Sequence, residues 1–249
     1  MVVHPTAPLR QKIILFGDSD ISRWPPTLRP SIAASSLSNY GKGGACLKDV
    51  LHQITTVLGQ WELQIIHGGL KSDDTIKTWF VCCAGENDIG NGSCSSSATT
   101  DLEQMFITFR DILDALFPTT VVTETEGRRV QQQQQQQQQN QNQKTVSKMI
   151  FFGPKFEPWL TDNNAAKKMY TKLDGGLKRV ARRHHARDQI IYIDCLTLFC
   201  TKETASSPGA VYGGKAMPDS QYFTDDGLHL NDKGYEIWKQ IVEEKIAES

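Results

Sequence analysis

The chain has 249 residues, of which 39% are hydrophobic, and its formal net charge at pH 7 is −1. This length suits one α/β domain that buries a sizeable core. The near-neutral charge gives no global attraction to nucleic acid or to an anionic membrane surface, so we expect no nucleic-acid partner. No apolar run reaches the 18 residues typical of a transmembrane helix, which predicts no integral membrane segment.

Apolar runs typical of strands alternate with helical patterns along the chain. The N-terminal tail, residues 1–11, lacks the apolar stretch of a secretory signal. In chain order the predicted elements are strand Lys12–Phe16, a weaker strand Ser35–Tyr40, helix Ala45–Leu58, strand Thr78–Ala84, helix Thr100–Phe117, strand Lys148–Gly153, helix Asn163–Arg187, strand Gln189–Asp194 and helix Asp232–Ala247. This alternation predicts a parallel sheet covered by helices on both faces, formed by a single domain over residues 12–120 and 148–247.

Residues 121–147 do not fit the pattern of the domain. They contain nine consecutive glutamines, Gln131–Gln139, followed by the polar run Asn140–Lys144. Such a segment buries too little apolar surface to offset the entropy of ordering, which predicts a disordered Gln/Asn-rich insertion. A passive insertion is the favoured interpretation, and weak self-association through the tract is the alternative.

The six cysteines favour free thiols over a disulfide framework. Cys82 and Cys83 are adjacent in a predicted buried strand, where neighbouring side chains point to opposite faces. The spacing of Cys and His residues matches no structural zinc site, so we expect neither a metal nor another cofactor. Buried thiols are typical of a reducing compartment, and we expect a cytoplasmic protein.

Two short motifs at opposite ends of the chain suggest a serine hydrolase. Ser19 follows the first predicted strand in Phe16-Gly17-Asp18-Ser19, at the carboxyl end where sites form in parallel sheets. Asp226 and His229 are three residues apart, so both side chains can project from one turn. A nucleophile, an imidazole and an orienting carboxylate are the three groups that such chemistry requires.

Two further blocks lie between these motifs. Asn39-Tyr40-Gly41-Lys42-Gly43-Gly44 precedes a predicted helix, and Gly85-Glu86-Asn87-Asp88 follows a predicted strand. With these blocks the chain resembles the SGNH (GDSL-type) hydrolases, a family named for Ser, Gly, Asn and His in four ordered blocks. The resemblance covers roughly residues 12 to 245, and the matching residues are Ser19, Gly44, Asn87 and His229 with Asp226.

The resemblance implies a three-layer α/β/α, flavodoxin-like fold and an ester hydrolase. It implies that Ser19 attacks the ester carbonyl, that His229 transfers the proton and that Asp226 orients the imidazole. It further implies an oxyanion hole built from the backbone N–H groups of Ser19 and Gly44 and the side-chain amide of Asn87. Losing one such donor typically lowers turnover about 10²–10³-fold. The expected partner is a small-molecule ester.

Each of these residues taken alone has a structural alternative. Ser19 could cap a helix that follows the first strand, and His229 could be a hydrogen-bonded core histidine. Asn87 could form a turn after its strand. The three glycines Gly41, Gly43 and Gly44 could serve only a tight turn, with Gly43 as a rival to Gly44. Asp225 competes with Asp226, and only the spacing to His229 favours Asp226.

The amino-acid sequences of the motifs resemble those of the small lysophospholipase-like branch of the family. The relevant segments are Ala84–Asp88, Phe152–Lys155 and Asp226–Asn231. One departure is Asp20, which stands where the name-giving pattern has Leu; we expect it to alter the rim of the pocket without touching catalysis.

The motifs do not select one substrate, because one fold supports many activities. A serine esterase for short acyl esters is the default. The alternatives are an acyltransferase, a carbohydrate O-acetylesterase of the same fold, and a non-catalytic scaffold that uses the glutamine tract.

The insertion generates the first prediction. Replacement of residues 126–144 by a short Gly-Ser linker should leave folding and ester hydrolysis nearly intact, since the segment contains no predicted catalytic group. Shortening the loop should change the free energy of unfolding by only about 1 kcal/mol. Thermal melting and p-nitrophenyl butyrate hydrolysis measure the two effects. An inactive variant that still melts cooperatively would show that the segment takes part in the site.

Overall fold

Strands and helices alternate in the computed structural model, which describes residues 10–32, 35–66, 76–90, 102–119, 147–201 and 216–249. The strands are β1 Arg10–Gly17, β2 Ser35–Asn39, β3 Ile76–Cys83, β4 Ser147–Phe152 and β5 Ile190–Ile193. The helices are α1 Ser19–Arg23, α2 Leu47–Ile66, α3 Glu86–Gly90, α4 Leu102–Leu116, α5 Asn164–Arg183 and α6 Asp232–Ala247. The tail residues 1–9 and almost all of the predicted insertion lie outside the described residues.

The five strands form one parallel sheet in the order β2-β1-β3-β4-β5. Alternate side chains of each strand enter two separate cores. On one face Phe16, Cys82 and Phe151 pack against α2, α4 and α5. On the other face Cys83 and Phe152 belong to a cluster that includes side chains of α1 and α6. The predicted three-layer α/β/α architecture is confirmed.

Most predicted boundaries differ from the observed ones by at most two residues, and the C-terminal ends of two helices are the exceptions. α5 ends at Arg183, four residues before the predicted Arg187. α2 continues two turns past the predicted end at Leu58, through Gly59. Trp61 explains the extension, because its ring stacks at 6.4 Å on Phe80 of β3 and gives the last turns an apolar contact with the sheet. The short helices α1 and α3 are absent from the predicted elements, apart from the helix after the first strand that Ser19 could cap, since five residues are too few to show a helical period.

The described cysteines are thiols, as expected. Cys46, Cys82, Cys83, Cys195 and Cys200 are all free and buried. Burial raises the pKa of the Cys82 and Cys83 thiols well above the ordinary range, and the nearby Asp18 carboxyl acts in the same direction. Both groups therefore behave as small apolar side chains rather than as nucleophiles. None of the described helices is long and apolar enough to cross a membrane.

Two adjacent glycines of α5 provide a matched test of helix packing. A Cβ on Gly175 would meet no atom within 4 Å, whereas a Cβ on Gly176 would lie 1.9 Å from the ring of Phe106 on α4. Gly175→Ala should therefore stabilise the fold by about 0.5–1 kcal/mol through helix propensity. Gly176→Ala should destabilise it by about 1–3 kcal/mol through overpacking. Urea unfolding midpoints measure the stability of both variants. If Gly176→Ala were as stable as Gly175→Ala, the close packing of α4 on α5 at Gly176 would be refuted.

Candidate active site

The predicted blocks meet at the carboxyl ends of β1 and β3. Ser19 begins α1 directly after β1, and Asn87 lies in α3 directly after β3. Asp226 and His229 lie in the loop before α6. A cavity of about 310 Å³ opens among them, and it is lined by Asp18, Ser19, Asp20, Glu86, Asn87, Glu157, Trp159, Tyr170, Asp226, Leu228 and His229. Ser19, Asn87, Asp226 and His229 thus face one cavity.

The Asp226 and His229 side chains are in direct contact. Nδ1 of His229 lies 2.6 Å from Oδ2 of Asp226, while the other carboxylate oxygen accepts hydrogen bonds from the backbone N–H groups of Leu228 and His229 and from the Thr224 hydroxyl. Partial burial by itself raises the pKa of Asp226, but these hydrogen bonds outweigh it and hold the pKa well below the ordinary value. The carboxylate is therefore fixed in its ionised form beside the imidazole.

The N-cap of α1 is Asp18 and not Ser19. The Asp18 side chain accepts a hydrogen bond from the backbone N–H of Asp20, so the capping role considered for Ser19 is wrong. Ser19 occupies the first turn instead and faces the cavity. Burial raises the pKa of the Asp18 carboxyl well above its ordinary value, and the neighbouring Asp20 and Glu86 carboxyls raise it further.

The glycine-rich loop before α2 is attached to α1. Asn39 donates from its amide to the carbonyl of Ile21 and accepts from the N–H of Gly41. A Cβ on Gly41 would lie 2.4 Å from the backbone nitrogen of Ser22. Gly41 is therefore required for the close approach of the loop to α1, which goes beyond the tight turn considered from the sequence.

The other side of this loop is attached to α3. The Asn87 amide donates to the carbonyl of Ala45 at 3.1 Å, and the Asp88 carboxylate accepts from the N–H of Leu47 at the start of α2. Gly44 adopts φ of +72° and is exposed. It is not among the described residues that line the cavity. The structure thus brings Asn87 to the cavity with Ser19, and Gly44 lies outside the cavity lining.

A buried ionic cluster forms the floor of the cavity, and sequence reasoning missed it. The Lys155 ammonium is fully buried and lies 2.6 Å from Asp20, 2.7 Å from Glu86 and 2.9 Å from Glu157. Asp20 is only 2% exposed. The expectation that Asp20 alters the pocket rim is therefore wrong, because its carboxylate points inward to Lys155. The available signal had two parts. Lys155 and Glu157 shortly follow a buried strand, and the carboxylates Asp20 and Glu86 stand next to the motif residues Ser19 and Asn87.

Burial and the charges of the cluster shift the pKa values of Lys155 and Glu86. Burial by itself lowers the pKa of Lys155, but the carboxylates of Asp20, Glu157 and Glu86 outweigh it and hold the pKa well above the ordinary value. Burial raises the pKa of Glu86 well above its ordinary value, and the attraction of Lys155 only partly offsets this. Three carboxylates thus surround one ammonium, and the contact with Lys155 is what favours the ionised form of Glu86 against its burial.

One group of candidate metal ligands lies away from the cavity. Asp114, His184 and His185 place ligand atoms within 4.8 Å of one another. Nδ1 of His184 accepts from the N–H of Ala186, which leaves Nε2 as the protonated nitrogen facing Asp114 at 3.1 Å. These hydrogen bonds explain why the side chains lie together, because they link α4 to the end of α5. We therefore assign this group no metal.

Comparisons with known proteins bear on the family and the fold of the chain. The sequence profile of the family described as GDSL-like lipase/acylhydrolase matches residues 13–242, and no curated protein matches the chain. The fold is similar to that of a member of the lipolytic protein G-D-S-L family from Veillonella parvula, with 18% identity, a TM-score of 0.51 and coverage of 92% of this chain and 94% of that one. It is similar to a GDSL-like lipase from Bacteroides thetaiotaomicron, with 14% identity, a TM-score of 0.51 and coverage of 99% and 92%.

A third similar structure is a carbohydrate esterase family 3 protein from Talaromyces cellulolyticus, with 13% identity, a TM-score of 0.50 and coverage of 95% and 96%. At these identities the structural likeness supports the fold alone. The family match extends over most of the sequence and includes every block that lines the cavity. The chain therefore belongs to the GDSL-like lipase/acylhydrolase family of ester hydrolases.

Proposed function

We propose that the protein hydrolyses carboxylic esters through a covalent acyl-serine intermediate. In this mechanism Ser19 is the nucleophile, His229 is the general base and then the general acid, and Asp226 orients the imidazole. The observation that supports it most directly is the 2.6 Å contact between His229 Nδ1 and Asp226, in a loop that lines the same cavity as Ser19.

The contact with Asp226 assigns roles to the two ring nitrogens of His229. An ionised carboxylate favours the tautomer in which Nδ1 carries the proton, so that Nε2 is the acceptor. Ser19 Oγ then transfers its proton to Nε2 as it attacks the carbonyl carbon, and the same proton passes to the leaving alcohol. Water attacks the acyl-serine ester in the second half of the reaction, with His229 again as the base.

The proposed oxyanion hole consists of the Ser19 and Gly44 backbone N–H groups and the Asn87 amide. Asn87 uses one amide hydrogen on Ala45 and has a second for the developing oxyanion. Its position in the cavity wall supports this role. The support for Gly44 is the family motif alone, since this residue lies outside the cavity lining.

The cavity favours a short, uncharged acyl ester. Its volume of about 310 Å³ is at the low end for a small-molecule site. Trp159 and Leu228, 38% and 39% exposed, supply apolar surface at its mouth. Among the described lining residues there is no lysine or arginine to pair with an anionic substrate group. The lysophospholipase-like branch remains a proposal from the motifs.

We also propose a cytoplasmic location, on the ground that five buried cysteines are reduced. Self-association through the glutamine tract stays a prediction from sequence, because that tract lies outside the described residues.

The proposed nucleophile has a matched control on its own helix. Ser19→Ala should abolish hydrolysis of p-nitrophenyl acetate and butyrate, and it should abolish labelling by a fluorophosphonate probe, which reacts with an activated serine. Ser22→Ala changes an exposed serine of α1 outside the cavity and should keep wild-type activity. A panel of esters from acetyl to palmitoyl, with lysophospholipid and acetylated sugar, should show a preference for short acyl groups. A Ser19→Ala variant that retained hydrolysis and fluorophosphonate labelling would refute the mechanism.

The two adjacent aspartates test the orienting carboxylate. Asp226→Asn should lower turnover about 10²–10⁴-fold, because an amide no longer fixes the tautomer of His229. Asp225→Asn should leave turnover near that of the wild type, since no side-chain contact joins Asp225 to the imidazole among the hydrogen bonds of this loop. Steady-state kinetics measure both variants. The reverse ranking would show that Asp225 is the orienting group.

A further inference from the structure

The Lys155 ammonium contacts carboxylates from three different parts of the site. Asp20 is the residue after Ser19, Glu86 is the residue before Asn87, and Glu157 is in the loop after β4. All four side chains are buried or nearly so. Apolar packing of the same volume would stabilise a fold as well as a buried ion cluster, so stability alone does not explain these residues. The three carboxylates have in common that they line the cavity themselves, and Lys155 lies behind them.

Asp20 connects Lys155 to both halves of the proposed catalytic pair. One carboxylate oxygen contacts Lys155, and the other accepts from the backbone N–H of Leu230, the residue after His229, at 3.2 Å. The carbonyl of Asp20 accepts from the Tyr235 hydroxyl of α6 at 2.9 Å. The start of α1 and the His229 loop are 210 positions apart in the chain, and this carboxylate joins them.

Glu86 and Glu157 connect Lys155 to the other walls of the cavity. Glu86 contacts the Lys155 ammonium through one oxygen and the Lys155 backbone N–H through the other, at 2.7 Å each, which fixes the turn that carries Asn87. Glu157 accepts from the Trp159 indole N–H and from the Tyr170 hydroxyl. The ammonium is therefore the common centre of the α1, α3 and Trp159 walls.

We propose that Lys155 is a positioning residue for ester hydrolysis, which sets the distance between Ser19 and His229 and the orientation of Asn87 through its three carboxylate partners. The inference rests on the proposed function. Proton transfer and oxyanion stabilisation depend steeply on geometry, and a displacement of about 1 Å can lower the rate about 10²-fold. Lys155 is not among the residues that line the cavity, so it acts through Asp20 and Glu86.

The first test removes the charge and keeps the length of the side chain. Lys155→Met should lower kcat about 10²-fold with a smaller effect on KM, because of its three partners only Glu157 reaches the cavity mouth, through Trp159. The rate of fluorophosphonate labelling of Ser19 should fall in parallel. Activities are normalised to the folded fraction from near-ultraviolet circular dichroism.

The matched control is a second buried lysine. Lys167 of α5 is 2% exposed, and its ammonium contacts the carbonyl of Ala216, outside the cavity lining. Lys167→Met makes the same chemical change at a comparable depth and should keep near wild-type kcat per folded molecule. An equal loss in both variants would show a general effect of burying methionine and would overturn the positioning role.

A milder variant and a rescue experiment cover the case in which Lys155→Met does not fold. Asp20→Asn keeps an oxygen for the N–H of Leu230 but weakens the contact with Lys155, so it should lower kcat at unchanged KM. In Lys155→Ala, added propylammonium should restore the fluorophosphonate labelling rate, whereas propanol of the same size should not. Sodium chloride at equal ionic strength is the background control.

The outcomes separate this inference from the proposed function. Wild-type kcat in folded Lys155→Met, or in Asp20→Asn where the lysine variants do not fold, would overturn the positioning role while Ser19→Ala remained inactive. Equal rescue by propanol would show that filled volume matters and charge does not, which would also overturn it. Activity retained in Ser19→Ala would instead refute the mechanism itself.

Discussion

The burial of a single ammonium group constrains the whole active-site end of this protein. An unpaired charge in an apolar interior is too costly to persist, so Lys155 requires close anionic partners. The three partners lie on separate segments, and each segment carries or borders a residue that lines the cavity. Removing one member of such a buried group typically costs about 3–5 kcal/mol. Pairing this charge therefore holds the segments together in one arrangement.

The parallel sheet makes this convergence possible. Since all five strands run in the same direction, the segments that follow β1, β3 and β4 leave the sheet at one edge. Asp20, Glu86 and Lys155 are each within three residues of a strand end, so their backbones are fixed by the strand ladders. The side chains then need to bridge only short distances. The rigid sheet sets the positions, and the ionic cluster sets the orientation of the residues beyond it.

The cavity combines this fixed polar floor with a looser apolar mouth. The floor contains carboxyl groups whose burial favours their protonated forms, as for Asp18 and Glu86. The Lys155 ammonium offsets part of the negative charge of these carboxyl groups under the cavity. Trp159 connects the two regions, because its indole N–H is bound to Glu157 while part of its ring is exposed at the mouth. Electrostatics and substrate access are thus coupled through one side chain.

The sequence by itself determined the layers of the fold, because apolar periods of two and of three to four residues report directly which faces are buried. It also singled out Ser19, Asn87, Asp226 and His229, which lie in short local motifs, and the structure brings all four to one cavity. Boundaries held where a cap or a strand end is local, as at α6. They failed at α2, where a distant contact of Trp61 extends the helix.

Only the tertiary structure decided what surrounds these residues. The sequence predicted that Asp20 alters the rim of the pocket, and Lys155 was only the last residue of a motif after a strand, because a sequence does not report the direction in which a side chain points after an element ends. Asp20 and Lys155 are 135 positions apart in the chain, so no local sequence pattern could predict their contact. Only the fold showed that Gly44 lies outside the cavity lining. Local motifs fix chemistry, whereas long-range pairing of buried charge fixes geometry, and that pairing exists only after the chain has folded.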